Sequence, residues 1–285
     1  MRVEKVEVEG GTISWGVEGE GVPVLLIQGT GIVGWGWRPQ VEALRDRYRL
    51  AWFDHRGIGE SEATTRGLTV PRMARDALAV MDALGWPRAH VAGHSLGGLV
   101  AQQLALEAPE RVASLALLST LVHGGQATRF DLSFIGLSLR MLIGTRSARR
   151  RAAVRMVIPD EVIDRIGFKR VARELAALVG RDDMADQPKA VMAQVRAMRR
   201  HDTSDRTEEI AHLPTLVMTG REDRIALPAF SEQLAGAFGV EAIVLEGTGH
   251  ACTWDAAVRV NHHLHEHWSA HPVAEGATKI SRGAR

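Results

Sequence analysis

The stretch Val91-Ala92-Gly93-His94-Ser95-Leu96-Gly97-Gly98-Leu99-Val100 decides how this chain folds. It sets one serine among three glycines, where an apolar run (Ala89 to Gly93) passes into a helical pattern (Gly97 to Ala108). A sharp strand-to-helix turn crowds its neighbours and holds its middle residue in a strained conformation. Glycines at 93 and 97 remove the side chains that would clash there. The serine oxygen then stands exposed above the sheet, and Leu96 offers a backbone N–H at the helix start. The plainer reading is a glycine-lined structural turn with no chemistry.

The sequence on either side supports the strand-turn-helix context. Val3 to Glu18 alternates apolar and polar around Gly10-Gly11 and reads as a hairpin. Val22 to Gln28 and Tyr48 to Asp54 are short, nearly continuous apolar runs, as expected of strands buried on both faces. Thr69 is placed to cap a helix with Pro71 in its first turn. After Ser95 come a strand from Val112, a strand from Pro214, a helix from Pro228, a strand from Glu241 and a last helix from Ala256. Strands separated by helices imply an α/β fold with a mostly parallel central sheet covered on both faces.

Residues 123–209 break this alternation. They show helical patterns but no clear strand, and they hold five of the nine methionines: Met141, Met156, Met184, Met192 and Met198. Methionine suits adaptable apolar surfaces. Basic residues outnumber acidic ones in this segment, whereas the rest of the chain is net acidic. The expected division is a core of 1–122 and 210–270, a helical lid inserted at 123–209, and a polar, disordered tail at 271–285. A second structural layer with no role in access is the alternative for the insertion.

A serine hydroxyl needs a base, and the base needs an orienting acid. Behind an elbow of this kind the partners follow in the order serine, acid, histidine. Asp223 lies in "GREDR" after the strand from Pro214, and His250 in "GTGH" after the strand from Glu241. Both loops leave the carboxyl ends of strands, the edge where open α/β sheets bind ligands. Glu222 competes with Asp223 for the role of acid. A second oxyanion donor is expected from "QGTG" (Gln28 to Gly31), with the N–H of Thr30 joining that of Leu96. Gly29, Trp35 and His94 are the candidate substrate-contacting residues.

Composition sets outer limits. The chain has 285 residues, 45% hydrophobic and 24% charged, with a formal net charge of +1. That balance gives no bulk electrostatic argument for nucleic acid or membrane partners. Cys252 is the single cysteine, so no disulfide can form within the chain, and a cytoplasmic location is expected. No run approaches the ~18 apolar residues of a membrane span, and the N-terminus carries no apolar signal core. His262, His263, His265 and His267 crowd the last helix; His263 and His267 share a face, but with no third ligand apparent no metal site is expected. Arg146, Arg149, Arg150, Arg151 and Arg155 form a basic run that reads as a solvated face, with attraction of anionic substrates or lipid as the alternative. "GTGIVG" resembles a dinucleotide loop only superficially.

Taken together, "QGTG", "FDHRGIGES", "GHSLGG", "GREDR" and "GTGH" resemble the α/β-hydrolase superfamily, over about 1–122 and 210–270. The core is similar to small esterases, enol-lactonases and cofactor-free haloperoxidases. One departure stands out: Gln28 occupies the place where relatives commonly carry histidine. The resemblance implies a serine hydrolase with no cofactor, cleaving a small-molecule ester or lactone through Ser95, His250 and Asp223. Serine rather than aspartate at the elbow argues against epoxide hydrolase or dehalogenase chemistry. C–C bond hydrolysis, perhydrolysis and a catalytically silent binding protein remain open. Substrate identity and oligomeric state are not legible.

Overall fold

The computed structural model describes residues 3–127, 136, 139–141, 143–180 and 189–273. Its strands are β1 Val3–Val8, β2 Gly11–Glu18, β3 Val22–Ile27, β4 Tyr48–Phe53, β5 Ala89–His94, β6 Val112–Leu118, β7 Thr215–Gly220 and β8 Ala242–Leu245. They pair in one sheet in the order β1-β2-β4-β3-β5-β6-β7-β8. The hairpin β1–β2 is antiparallel and joins β4 antiparallel, while every pair from β4 to β8 is parallel. The all-apolar strands took the central places. Every residue of β5 and β6 is buried, as a strand covered on both faces requires.

Two apolar layers flank the sheet. On one face Met73, Ala77, Val80 and Met81 of helix Val70–Ala83 pack with Leu99, Val100 and Leu104 of helix Leu96–Glu107. Thr69 caps the first of these, its hydroxyl accepting from the Arg72 N–H at 3.3 Å. On the other face Trp37, Val41 and Leu44 meet Val260, Leu264 and Trp268 of helix Ala257–Ala270. Trp37 is fully buried at the start of helix Arg38–Leu44. Burying a side chain of this class stabilises the fold by roughly 1.5–3 kcal/mol.

The turn "FDHRGIGES" is a knot of internal bonds. The Asp54 carboxylate accepts the Gly34 N–H at 2.6 Å and the Glu60 N–H at 2.9 Å. The buried Arg56 guanidinium forks onto both oxygens of Asp76 at 2.6 Å. Ser61 accepts the Ser14 N–H at 2.8 Å and donates to the Asp54 carbonyl at 2.6 Å. All of these bonds hold loops together, and none reaches the serine.

Within 123–209 the described residues form helices Arg146–Val157, Asp160–Ile166, Phe168–Val179 and Lys189–Arg199, plus one isolated bridge between His123 and Asp202. Most of residues 128–142, and Met184, lie outside the described residues, as does the tail from 274. The first three share an apolar cluster that includes Val154, Ile158, Val171, Leu175 and Leu178, whereas Ala193 and Ala197 of the fourth join the cluster on the sheet. The basic run of helix Arg146–Val157 is engaged locally: Arg155 pairs with Asp160 at 3.2 Å and Arg151 donates to Ser147 at 2.9 Å. No described helix is long and apolar enough to cross a membrane.

Candidate active site

The three glycines around Ser95 are a packing requirement. A Cβ on Gly93 would strike the Gly97 carbonyl, one on Gly97 the Ile27 carbonyl, and one on Gly98 the Thr120 side chain. With that crowding relieved, β5 turns directly into helix Leu96–Glu107 through Ser95, whose φ is 54° and ψ −120°. A non-glycine residue there costs roughly 1–3 kcal/mol. The strain is held by bonds on both sides of the residue. The Ser95 N–H donates to the Leu118 carbonyl at 2.9 Å, and the Ser95 carbonyl accepts from the Gly98 N–H at 2.9 Å and the Thr120 hydroxyl at 2.6 Å.

The structure brings Ser95, His250 and Asp223 together from three strand ends. His250 Nε2 lies 3.0 Å from Ser95 Oγ, and His250 Nδ1 lies 2.8 and 3.0 Å from the two Asp223 oxygens. A carboxylate only accepts, so Nδ1 carries the proton and Nε2 is left to accept from the serine hydroxyl. Asp223 is buried and fixed by the N–H groups of Ile225 and Ala226, which donate to Oδ1 at 2.8 and 2.9 Å. Glu222 faces elsewhere: it accepts the Thr248 N–H at 2.8 Å and so braces the loop that carries His250.

The "QGTG" loop lies beside Ser95, with a Cβ built on Gly29 only 3.1 Å from Ser95 Cβ. Gln28 turns its amide oxygen onto the Gly29 N–H at 2.9 Å, and the buried Gln194 does the same for the Gly31 N–H at 2.8 Å. The N–H groups on both sides of Thr30 are therefore occupied by side chains. Leu96 opens its helix, where an N–H has no acceptor within the helix.

His94 lines the cavity and donates its Nε2–H to the His250 carbonyl, 2.8 Å away, so it braces the His250 loop as well. Burial, and then the neighbouring His250, push its pKa down to about 4, so it stays neutral. Burial likewise lowers His55, behind Gln28, to about 4. Trp35 is placed otherwise than expected. It stacks at 4.9 Å on Trp52 and is not among the described residues lining the cavity, because the apolar face of Trp52 offers it a drier partner. Cys252 is buried, 3.5 Å from the Ser119 hydroxyl, and burial raises its thiol to about 12. His263 does not converge with His267; His262, His263 and Glu266 do, as an exposed cluster with N···O separations of 3.3 and 3.4 Å.

Above Ser95 and His250 is a cavity of about 330 Å³. Its floor is the sheet edge; its walls are Leu175, Leu178, Val191, Val195, Met156 and Trp254 among others. Met141 and Met198 also line it, whereas Met192 is 52% exposed and does not. The helices reach each loop of the site: Gln194 holds Gly31, Arg224 donates to the Arg155 carbonyl at 2.6 Å, and the Ala251 N–H donates to the Val157 carbonyl at 3.1 Å. Gln194, Trp254 and Arg199 carry no motif, so nothing local in the sequence marks them.

A family model described as alpha/beta hydrolase fold matches residues 22–153. A protein of Azorhizobium caulinodans named carbamate hydrolase RutD is 32% identical over 224 residues, 77% of this chain and 80% of that one. Among solved structures, Est816, described as an N-acyl homoserine lactone degrading enzyme, superposes with a TM-score of 0.77 at 26% identity, covering 92% of this chain and 99% of its own. The enol-lactonase of Burkholderia xenovorans LB400 superposes with a TM-score of 0.76 at 23% identity, covering 93% and 99%. That last likeness is one of fold.

Proposed function

This chain belongs to the α/β-hydrolase superfamily and is a hydrolase, and on that premise we propose that it cleaves a carboxylic ester or lactone through an acyl-serine intermediate on Ser95. The observation that carries the reading is the unbroken line from Ser95 Oγ to His250 Nε2 at 3.0 Å and from His250 Nδ1 to Asp223 at 2.8 Å. Ser95 Oγ attacks the carbonyl carbon as His250 takes its proton. The negative charge of Asp223 stabilises the imidazolium that forms. The N–H groups of Thr30 and Leu96 receive the oxyanion. His250 returns its proton to the leaving alkoxide, then draws one from water, whose oxygen attacks the acyl carbon and frees Ser95. Every proton taken is given back, so the cycle needs no cofactor.

In this reading the helices of 123–209 act as a lid, and their cavity faces select the acyl or alcohol group. A second substrate class, carbamates, is favoured by the similarity to the chain named carbamate hydrolase RutD. A fluorophosphonate probe tests the nucleophile: the wild type is expected to label at Ser95 and Ser95→Ala not at all. Kinetics on p-nitrophenyl esters, lactones and carbamates then rank the substrates. Labelling at another serine overturns the assignment.

A further inference from the structure

The cavity is lined by apolar side chains and by amide, hydroxyl and imidazole groups, with one exception. Arg199 is the only lysine, arginine, aspartate or glutamate among the described lining residues. It closes helix Lys189–Arg199, where Val191, Val195 and Met198 precede it at spacings that put all four on the cavity side. Arg196 and Arg200, on the same stretch, do not line the cavity.

Arg199 is also unlike the other arginines around the site. Arg155 and Arg224 meet Asp160, Arg206 forks onto Glu209, and Arg56 onto Asp76. Arg199 makes no hydrogen bond and no ion pair with another described residue. Arg199 is solvent-exposed at the rim of this apolar chamber, and no described residue supplies an acceptor to its five N–H donors.

We propose that Arg199 is the anchor for a carboxylate on the substrate, so that the preferred ester or lactone carries an acid group at the end remote from the scissile carbonyl. A single planar guanidinium matches a carboxylate in two parallel hydrogen bonds, whereas a phosphate dianion calls for more positive charge than one arginine brings. The apolar walls between Arg199 and Ser95 fit a short methylene chain and give a second charge nowhere else to go. This inference rests on the esterase reading and adds its substrate class.

The test compares p-nitrophenyl hydrogen adipate with p-nitrophenyl methyl adipate, which differ only in the free or capped carboxyl. For the wild type, kcat/KM should favour the free acid by about tenfold to a hundredfold, the range of a charge-assisted hydrogen-bonded pair open to solvent on one side. The ratio should fall at least about tenfold in Arg199→Gln, recover in part in Arg199→Lys, and keep its wild-type value in Arg196→Gln. A wild-type ratio near one, or a ratio unchanged in Arg199→Gln, overturns the proposal. If the wild type hydrolyses neither ester, the esterase reading fails on its own, and titration calorimetry with monomethyl adipate decides the anchor. Binding weakened about tenfold or more in Arg199→Gln upholds it; equal binding, or none to the wild type, overturns it.

Discussion

At the carboxyl edge of the sheet, Ser95 and Asp223 are fixed by backbone groups a few residues from a strand end, and His250 by the His94 side chain. In the helices above, Val191, Val195, Leu175 and Met198 meet the same cavity through apolar contact alone. Position is set by directional bonds below and by shape above. Directional bonds tolerate little: a reacting atom displaced by an ångström loses its partner. Apolar walls tolerate volume-conserving change, because contact energy is spread over many atoms. The edge is therefore suited to chemistry common to many substrates, and the helices to choosing among them.

The sharpest way to break this comparison is at the nucleophile. Ser95→Ala should lower kcat on the order of 10⁶ with Tm nearly unchanged, since the hydroxyl contributes no core packing. A loss of Tm comparable to a core cavity would show that the elbow serves stability as well. Asp223→Asn comes next. It keeps the shape and removes the charge facing His250, at a loss of roughly 10⁴ in kcat, whereas Glu222→Gln should stay within about tenfold because an amide oxygen can still accept the Thr248 N–H. Stopped ester assays on the pair decide between them, and reversed effects would move the acid to Glu222.

Asp255 sharpens the contrast from the side of stability. It accepts the Gly249 N–H at 2.9 Å, its other oxygen is buried without a partner, and burial raises its carboxyl to about 6. The unfolded chain has it near 3.9. The folded protein therefore binds the extra proton, and this contribution is full below about pH 4 and lost as pH rises through 6. Asp255→Asn should match the wild type near pH 4 and exceed it by up to about 2 kcal/mol at pH 7.5, read by denaturant unfolding at both pH values. A constant difference would mean that the carboxylate carries no such penalty.

The smallest effects belong to the upper wall. Leucine for Met141, Met156 or Met198 should change stability by less than about 1.5 kcal/mol and shift the preferred ester chain length, whereas Met192→Leu should shift nothing. The measurement is kcat/KM across a chain-length series. If Met192→Leu shifts the profile as much as the other three, the helices do not select by direct contact.

The two regions also differ in what the sequence made legible. Ser95, Asp223 and His250 each sit beside a local signature: glycines at offsets of two, an acid after an apolar run, a histidine after the next. The strand ends then place them on one edge without further information. Gln194, Arg199 and Trp254 have no such neighbours. Gln194 and Gly31 are 163 residues apart, and nothing local to either announces the pair. Trp35 misled for a related reason: nearness in sequence to the oxyanion loop said nothing of Trp52, which packs under it from β4.

The bond from Gln194 to Gly31 bears on how the protein comes to be active at all. Pairing of β3 with β4 and β5, and docking of their helices, closes loops far shorter than the one this bond closes. Chain entropy delays the longest closures. Until helix Lys189–Arg199 settles on the sheet, the loop beside Ser95 lacks its outer clamp. A chain whose helix Lys189–Arg199 has not docked therefore lacks part of its active-site frame. In refolding, ester hydrolysis should return no earlier than tryptophan fluorescence, with Gln194→Ala delaying hydrolysis further.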